Sequence, residues 1–139
     1  MKTRTECSCV AIRRTSRALT HFYDQMLEPS GIKVTQLSLL RAVRRMAAPN
    51  ISALADELQL DRTTLGRNLA VIERNGLVTV TAGDDLRERT VTLTAAGEQA
   101  LALAAPLWDA AQARIAERLG AERLAQFNDL LSELEGLAE

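Results

Sequence analysis

Three groups of side chains in this 139-residue chain have the types and spacing to do chemistry. The first is Cys7-Ser8-Cys9, two thiols at the start of a helical pattern. Backbone amides and the helix dipole favour the thiolate at such a place, and the thiolate is the form that attacks peroxides. Arg13 follows Cys9 by four residues, on the same helical face. The second group is Arg62, Thr63, Thr64, Arg67 and Asn68, on one side of a short helix. Arginine can bond guanine in a bidentate fashion, asparagine can bond adenine, and threonine can bond phosphate or touch a thymine methyl. The third is Asp85, Arg87 and Arg89, in a polar loop between two β-prone segments. Arginines on a loop tip can enter a narrow, electronegative minor groove. Asp85, two residues before Arg87, can hold its guanidinium by a charge-assisted bond.

Other chemistries are poorly provided for. A C-x-C is not the redox C-x-x-C, His21 is the only histidine, and no glycine-rich phosphate loop is present, which argues against an enzyme such as a thiol oxidoreductase. Cys7, Cys9 and His21 are too few and too poorly spaced for a metal site, so neither metal nor cofactor is expected. The formal net charge is −1, which does not suggest a polyanion partner. Its distribution does: residues 1–45 carry nine Lys/Arg against three acids, and residues 95–139 carry three Arg against eight acids. A local basic surface is sufficient to hold phosphate. No segment reads as membrane-spanning, and Met1 to Glu6 lack the apolar run of a secretory signal, so a cytoplasmic protein with free thiols is expected.

Six helical patterns and one hairpin must position these groups. With 47% apolar residues but only 3% aromatic, leucine and alanine have to fill the core, a composition that favours helices. The first helix is expected from about Ser8 to Leu27, with Ile12, Leu19, Tyr23, Met26 and Leu27 at helical spacing and Pro29-Ser30-Gly31 as its stop. Thr35 should cap a second helix that buries Leu37, Leu40, Val43 and Met46. Asn50 should cap a short third helix, and Asp61 a fourth that buries Leu65, Leu69 and Ile72 and stops at Asn75-Gly76. Leu77 to Thr81 and Val91 to Thr94 alternate like strands around the polar loop 82–90. Thr94 should cap a long helix kinked at Pro106, and Gly120 should separate it from a last helix with Leu124, Phe127, Leu130, Leu131, Leu134 and Leu137.

A short helix, a three-residue turn, a longer helix and a hairpin make the winged helix-turn-helix plan. Alone, Arg62, Arg67 and Asn68 would read as a solvated helix face, and Asp84 to Arg89 as a charged turn; their succession is what points to DNA. The chain resembles the MarR family of bacterial regulators. The resemblance is carried by Ile51 to Leu65 (ISALADELQLDRTTL), Leu69 to Val78 (LAVIERNGLV), and the wing Asp85-Leu-Arg87-Glu-Arg89 followed by Leu93-Thr94-Ala-Ala-Gly97. It implies a mainly α fold with a small β-hairpin wing, in which residues 1–34 and 95–139 form helical dimerisation regions and residues 35–94 the DNA-binding domain. It further implies a homodimer that binds an inverted repeat in double-stranded DNA as a transcription regulator, most simply a repressor, with wing residues Asp85 and Arg87. The outer apolar faces, larger than a small winged domain needs, agree with a dimer.

Two switches are open. The first helix resembles the organic-hydroperoxide-sensing branch of that family, in which a reactive cysteine precedes a Ser-Arg arginine by eight residues, as Cys9 precedes Arg17. Tyr23 falls on a tyrosine position of that branch, while Arg13 and Val34 replace two others, and Cys7 is the only second thiol. Redox sensing would then rest on Cys9, Cys7 and Tyr23. Alternatively the cysteines are structural, and a small aromatic or phenolic effector binds a pocket with Arg13, Arg17 and Tyr23, where the outer helices meet the DNA-binding region.

Overall fold

The computed structural model describes residues 6–83 and 88–138. Helix α1 spans Ser8–Leu27, followed by a 3-10 turn at Glu28–Ser30; α2 is Val34–Met46, α3 Ile51–Leu58 and α4 Arg62–Arg74. The hairpin comprises β1, Val78–Ala82, and β2, Arg89–Leu93; α5 is Ala95–Leu119, α6 Ala121–Glu135, and a 3-10 turn closes the chain at Gly136–Ala138. This is a winged helix-turn-helix flanked by long helices.

Local chemistry fixes the starts of three of the six α-helices. Asn50 accepts a bond from the Ala53 amide at 2.8 Å, Asp61 from Thr64 at 2.7 Å and Thr94 from Gly97 at 3.0 Å, so each satisfies an amide the helix leaves unpaired. Helix α2 departs from the expected Thr35 cap and begins two residues earlier, with Lys33 at the cap position. The Asp24 carboxylate of α1 accepts from the Val34 amide at 2.8 Å, and Gln36 accepts from the Lys33 amide at 2.9 Å. A carboxylate ten positions away in sequence has replaced a local cap.

The strands pair antiparallel, with Val78 opposite Leu93 and Ala82 opposite Arg89. Strand β2 begins two residues before the expected Val91. Thr90 pairs with Thr81 and also bridges Asn50, and the Val91 amide donates to the Pro49 carbonyl at 2.9 Å. That bridge ties the wing's base to the chain entering α3. Helix α5 continues through Pro106 as one helical segment.

The core is unevenly placed. Leu37, Leu40 and Val43 of α2, Leu54 of α3, Leu65 and Ile72 of α4 and Val91 of β2 are fully or almost fully buried together. Leu27 and Leu101 close the cluster from α1 and α5. Among the described residues, α1 buries only Leu27 and α6 buries none. Ile12 is 43% exposed, Leu130 58%, Leu134 46% and Leu137 82%. Two contacts fasten the central lobe to α5: the Arg41 guanidinium lies 4.2 Å from the centre of the Trp108 ring, and Arg44 meets Glu98 at 3.8 Å. The first is a cation–π stack, and the second is an exposed pair of small energetic weight. No described helix is long and apolar enough to cross a membrane.

Candidate nucleic-acid interface

Helix α4 buries Leu65, Leu69 and Ile72 and turns its other side outward. Arg62, Thr63, Gly66 and Arg67 are exposed there and Asn68 is half-buried. The helix begins at Asp61 because the carboxylate takes both the amide and the hydroxyl of Thr64, the latter at 2.9 Å. These bonds, the amide one first, hold the Asp61 carboxyl below the usual carboxylate range. Thr64 is therefore part of the cap, and its hydroxyl proton is already engaged. Arg62 is held from the neighbouring helix: its guanidinium donates to the Ser52 hydroxyl of α3. That places the first arginine of α4 between the two helices of the motif.

Gly66 has no heavy atom within 4 Å of where a side chain would begin. Packing inside the protein does not require glycine at this position, and glycine costs a helix about 1 kcal/mol relative to alanine. A smooth, open spot on an otherwise polar helix face suits the close approach of another backbone. Gly66 also lines a groove of 430 Å³ with Ala70 and Glu73 of α4 and Val80, Ala82 and Arg89 of the wing. Arg89, the first residue of β2, is exposed. Helix α4 and the wing thus share one concave surface, and Arg89 stands at its wing side. Asp85 and Arg87 lie outside the described residues.

A second groove, of 320 Å³, joins Asn68 and Val71 of α4 to Lys33, Thr35 and Gln36 at the start of α2. Neither these three residues nor Ser52 was apparent as part of the site from the sequence. Their signal is weak: a polar cluster at the beginning of an apolar helix reads as a cap, and only the packing of α2 beside α4 brings it to Asn68.

The candidate switch residues are divided. Cys7, the N-cap residue of α1, and Cys9, in its first turn, are free and exposed. Tyr23 is half-buried and donates its hydroxyl to the Gln112 side chain of α5; burial raises its pKa. It lines an apolar groove of 400 Å³ with Ile12, Ser16 and Leu19 of α1, Val34 of α2, and Phe127 and Leu131 of α6. The expected companions Arg13 and Arg17 do not line this groove. Both are exposed on the solvent side of α1, so the structure does not join them to Tyr23 in one pocket.

The plan recurs among known proteins. Residues 30–88 match the model of the MarR family. An uncharacterized HTH-type transcriptional regulator of Bacillus subtilis, YwoH, is 28% identical over 88 residues, which are 63% of this chain and 64% of that protein. The match therefore spans just under two thirds of that relative's length. The M. tuberculosis transcriptional regulator MosR, solved in complex with DNA, is similar over 96% of this chain and 99% of its own, with 38% identity and a TM-score of 0.84. The S. aureus MepR–DNA complex shares the fold alone, at 20% identity and a TM-score of 0.83 over 97% of this chain and all of that one.

Proposed function

This chain belongs to the MarR family of DNA-binding transcription regulators, and from that premise we propose that it is a homodimeric repressor of an inverted-repeat operator. Each α4 enters a major groove, where Arg62, Thr63, Thr64, Arg67 and Asn68 face the bases and nearby phosphates. Each wing extends to a flanking minor groove with Arg87 and Arg89, and Asp85 steadies Arg87. The observation that carries the reading is the open face at Gly66, in the groove that α4 shares with Arg89 of the wing. The exposed leucines of α6 support a second copy as its cover. Arg67→Ala should cost about 1–3 kcal/mol of binding and relax selectivity at one base pair. Unchanged DNA affinity in Arg87→Ala would remove the wing from the interface.

Release from DNA follows from a change in the distance between the two readers, which must match a helical turn. The exposed thiols support oxidation as the trigger. A hydroperoxide gives one oxygen to the Cys9 thiolate, leaving as the alcohol, and the sulfenic acid then condenses with the Cys7 thiol, within the subunit or across the dimer, to a disulfide and water. Retained DNA affinity after Cys9 is shown by mass spectrometry to be oxidised would end this reading.

The groove at Tyr23 favours a second trigger, a small-molecule effector. Thr15 and Thr20 donate their hydroxyls to their own helix at 2.9 and 2.7 Å, and Tyr23 donates to Gln112, so these three offer oxygen acceptors, the Ser16 hydroxyl is the groove's donor, and no cation is among its described lining residues. A neutral phenol suits it better than an aromatic carboxylate. Thermal melts with paired phenols and benzoates test this: stabilisation by neither removes the effector reading, and stabilisation by benzoates alone inverts its chemistry.

A further inference from the structure

The end of the reader helix, the base of the wing and the start of α5 meet at one side chain. The Thr94 hydroxyl donates to the Gly76 carbonyl at 2.6 Å and accepts from the Gly97 amide at 3.0 Å. The Thr94 amide donates to the Leu77 carbonyl at 3.1 Å. Gly76 has φ +76°, a left-handed conformation that turns the chain out of α4, and the Gly76 and Leu77 amides donate back to Glu73 and Ile72 at 2.9 Å. On the other side, a Cβ on Gly97 would stand 2.1 Å from the Leu77 carbonyl oxygen. The first turn of α5 is thus seated against the backbone that leaves α4, without room for even a methyl group.

An ordinary helix cap needs only half of this. To satisfy the Gly97 amide, Thr94 has only to accept. Its donated bond runs to a residue 18 positions earlier, in the turn that leaves α4, and serves nothing within α5. We infer that Thr94 is a positioning residue for DNA recognition: its hydroxyl clasps the reader helix to α5, so that the direction of α5 sets the direction of α4. The inference rests on the dimer reading, since only in a dimer does the direction of α5 determine the distance between two readers. Beside the apolar packing of Leu101, two kinds of polar attachment then join α5 to the lobe. Arg41 on Trp108 and Arg44 with Glu98 join side chains that can slide, whereas the Thr94 amide and hydroxyl hold the Leu77 and Gly76 carbonyls, against which Gly97 is packed.

Three variants separate clasp from cap. Thr94→Ser keeps both bonds. Thr94→Asp can still accept from the Gly97 amide but, ionised, has no proton for Gly76. Thr94→Val removes both. Each is measured on inverted-repeat duplexes recovered by selection from random sequence, with the half-sites at the selected spacing and at one base pair more or less. Melting temperature and sedimentation report fold and dimer. Wild type and Thr94→Ser should prefer the selected spacing. Thr94→Asp should bind that spacing about five- to tenfold more weakly, the scale of one hydrogen bond, and lose most of its preference over the altered spacings while remaining a folded dimer. Thr94→Val should show the same loss with a lower melting temperature. If Thr94→Asp keeps wild-type affinity and spacing preference, Thr94 is only a cap and the inference is overturned. If wild type is a monomer or shows no spacing preference, the dimer reading fails first, and that result is visible without any variant.

Discussion

The central lobe and the outer helices solve the same problem in opposite ways. From α2 to β2 each amphipathic element finds its cover inside the chain: Leu37, Leu40, Leu54, Leu65 and Ile72 converge, and almost none of their surface remains in water. Helix α6, equally rich in leucine, buries none of its residues, and α1 closes only at its last one, Leu27. The same residue type therefore has two meanings. In the lobe leucine completes a core, whereas on α6 it is an unfinished one, and the proposed second copy finishes it. In the proposed dimer the lobe would carry the contacts to DNA and the outer helices the distance between two such lobes.

The comparison can be broken most severely on the outer side. Replacing Leu130 and Leu134 together by Glu should weaken the dimer at least about a hundredfold, given roughly 1.5–3 kcal/mol for each leucine buried, while the lobe stays folded. Sedimentation with far-UV circular dichroism checks it, and a dimer of undiminished strength would mean that α6 is not covered by a second copy. Next is Leu54→Ala in the lobe, expected to cost about 2–5 kcal/mol in chemical denaturation, because a fully buried side chain leaves a cavity. A loss near zero would mean that the lobe is not a self-sufficient core.

Smaller effects sharpen the division further. Gly66→Ala should raise stability by about 0.5–1 kcal/mol and lower DNA affinity, since nothing inside the protein occupies the space and helix propensity improves. If affinity rises along with stability, Gly66 does not face the duplex. The smallest effect is the acid response of the reader's cap. The Asp61 carboxyl is held below its ordinary range by bonds from Thr64, so its contribution is present above the unfolded-state pKa and is lost as pH falls through the lower, folded-state value. Asp61→Asn should flatten that portion of the stability–pH curve below about pH 4, and an unchanged slope would show that the cap does not couple to folding.

How much of this was legible beforehand divides by distance along the chain. Asn50, Asp61 and Thr94 could be read as caps because a cap and its amide lie three residues apart. The helix-turn-helix, its wing and the buried side of α4 were readable from local periodicity. Long-range substitutions were not. Asp24 replaces the expected Thr35 cap, Asn50 and Pro49 lengthen β2, and the structure leaves Arg13 and Arg17 outside the groove that Tyr23 lines. Ser52, Lys33, Thr35 and Gln36 enter the candidate interface only through the packing of α2 and α3 on α4. In each case the deciding partner is far away in sequence.

The stack of Arg41 on Trp108 has an optical consequence. Trp108 is the chain's one tryptophan, and it lies at the seam between α2 and α5 under a guanidinium 4.2 Å from its ring centre. Its emission therefore comes from a single place, the seam where α2 meets α5. Rotation of α2 away from α5 would draw the charge off the indole and admit water, shifting its colour and quenching. Titration with operator DNA, hydroperoxide or a phenol can be followed at this built-in fluorophore without attaching a dye.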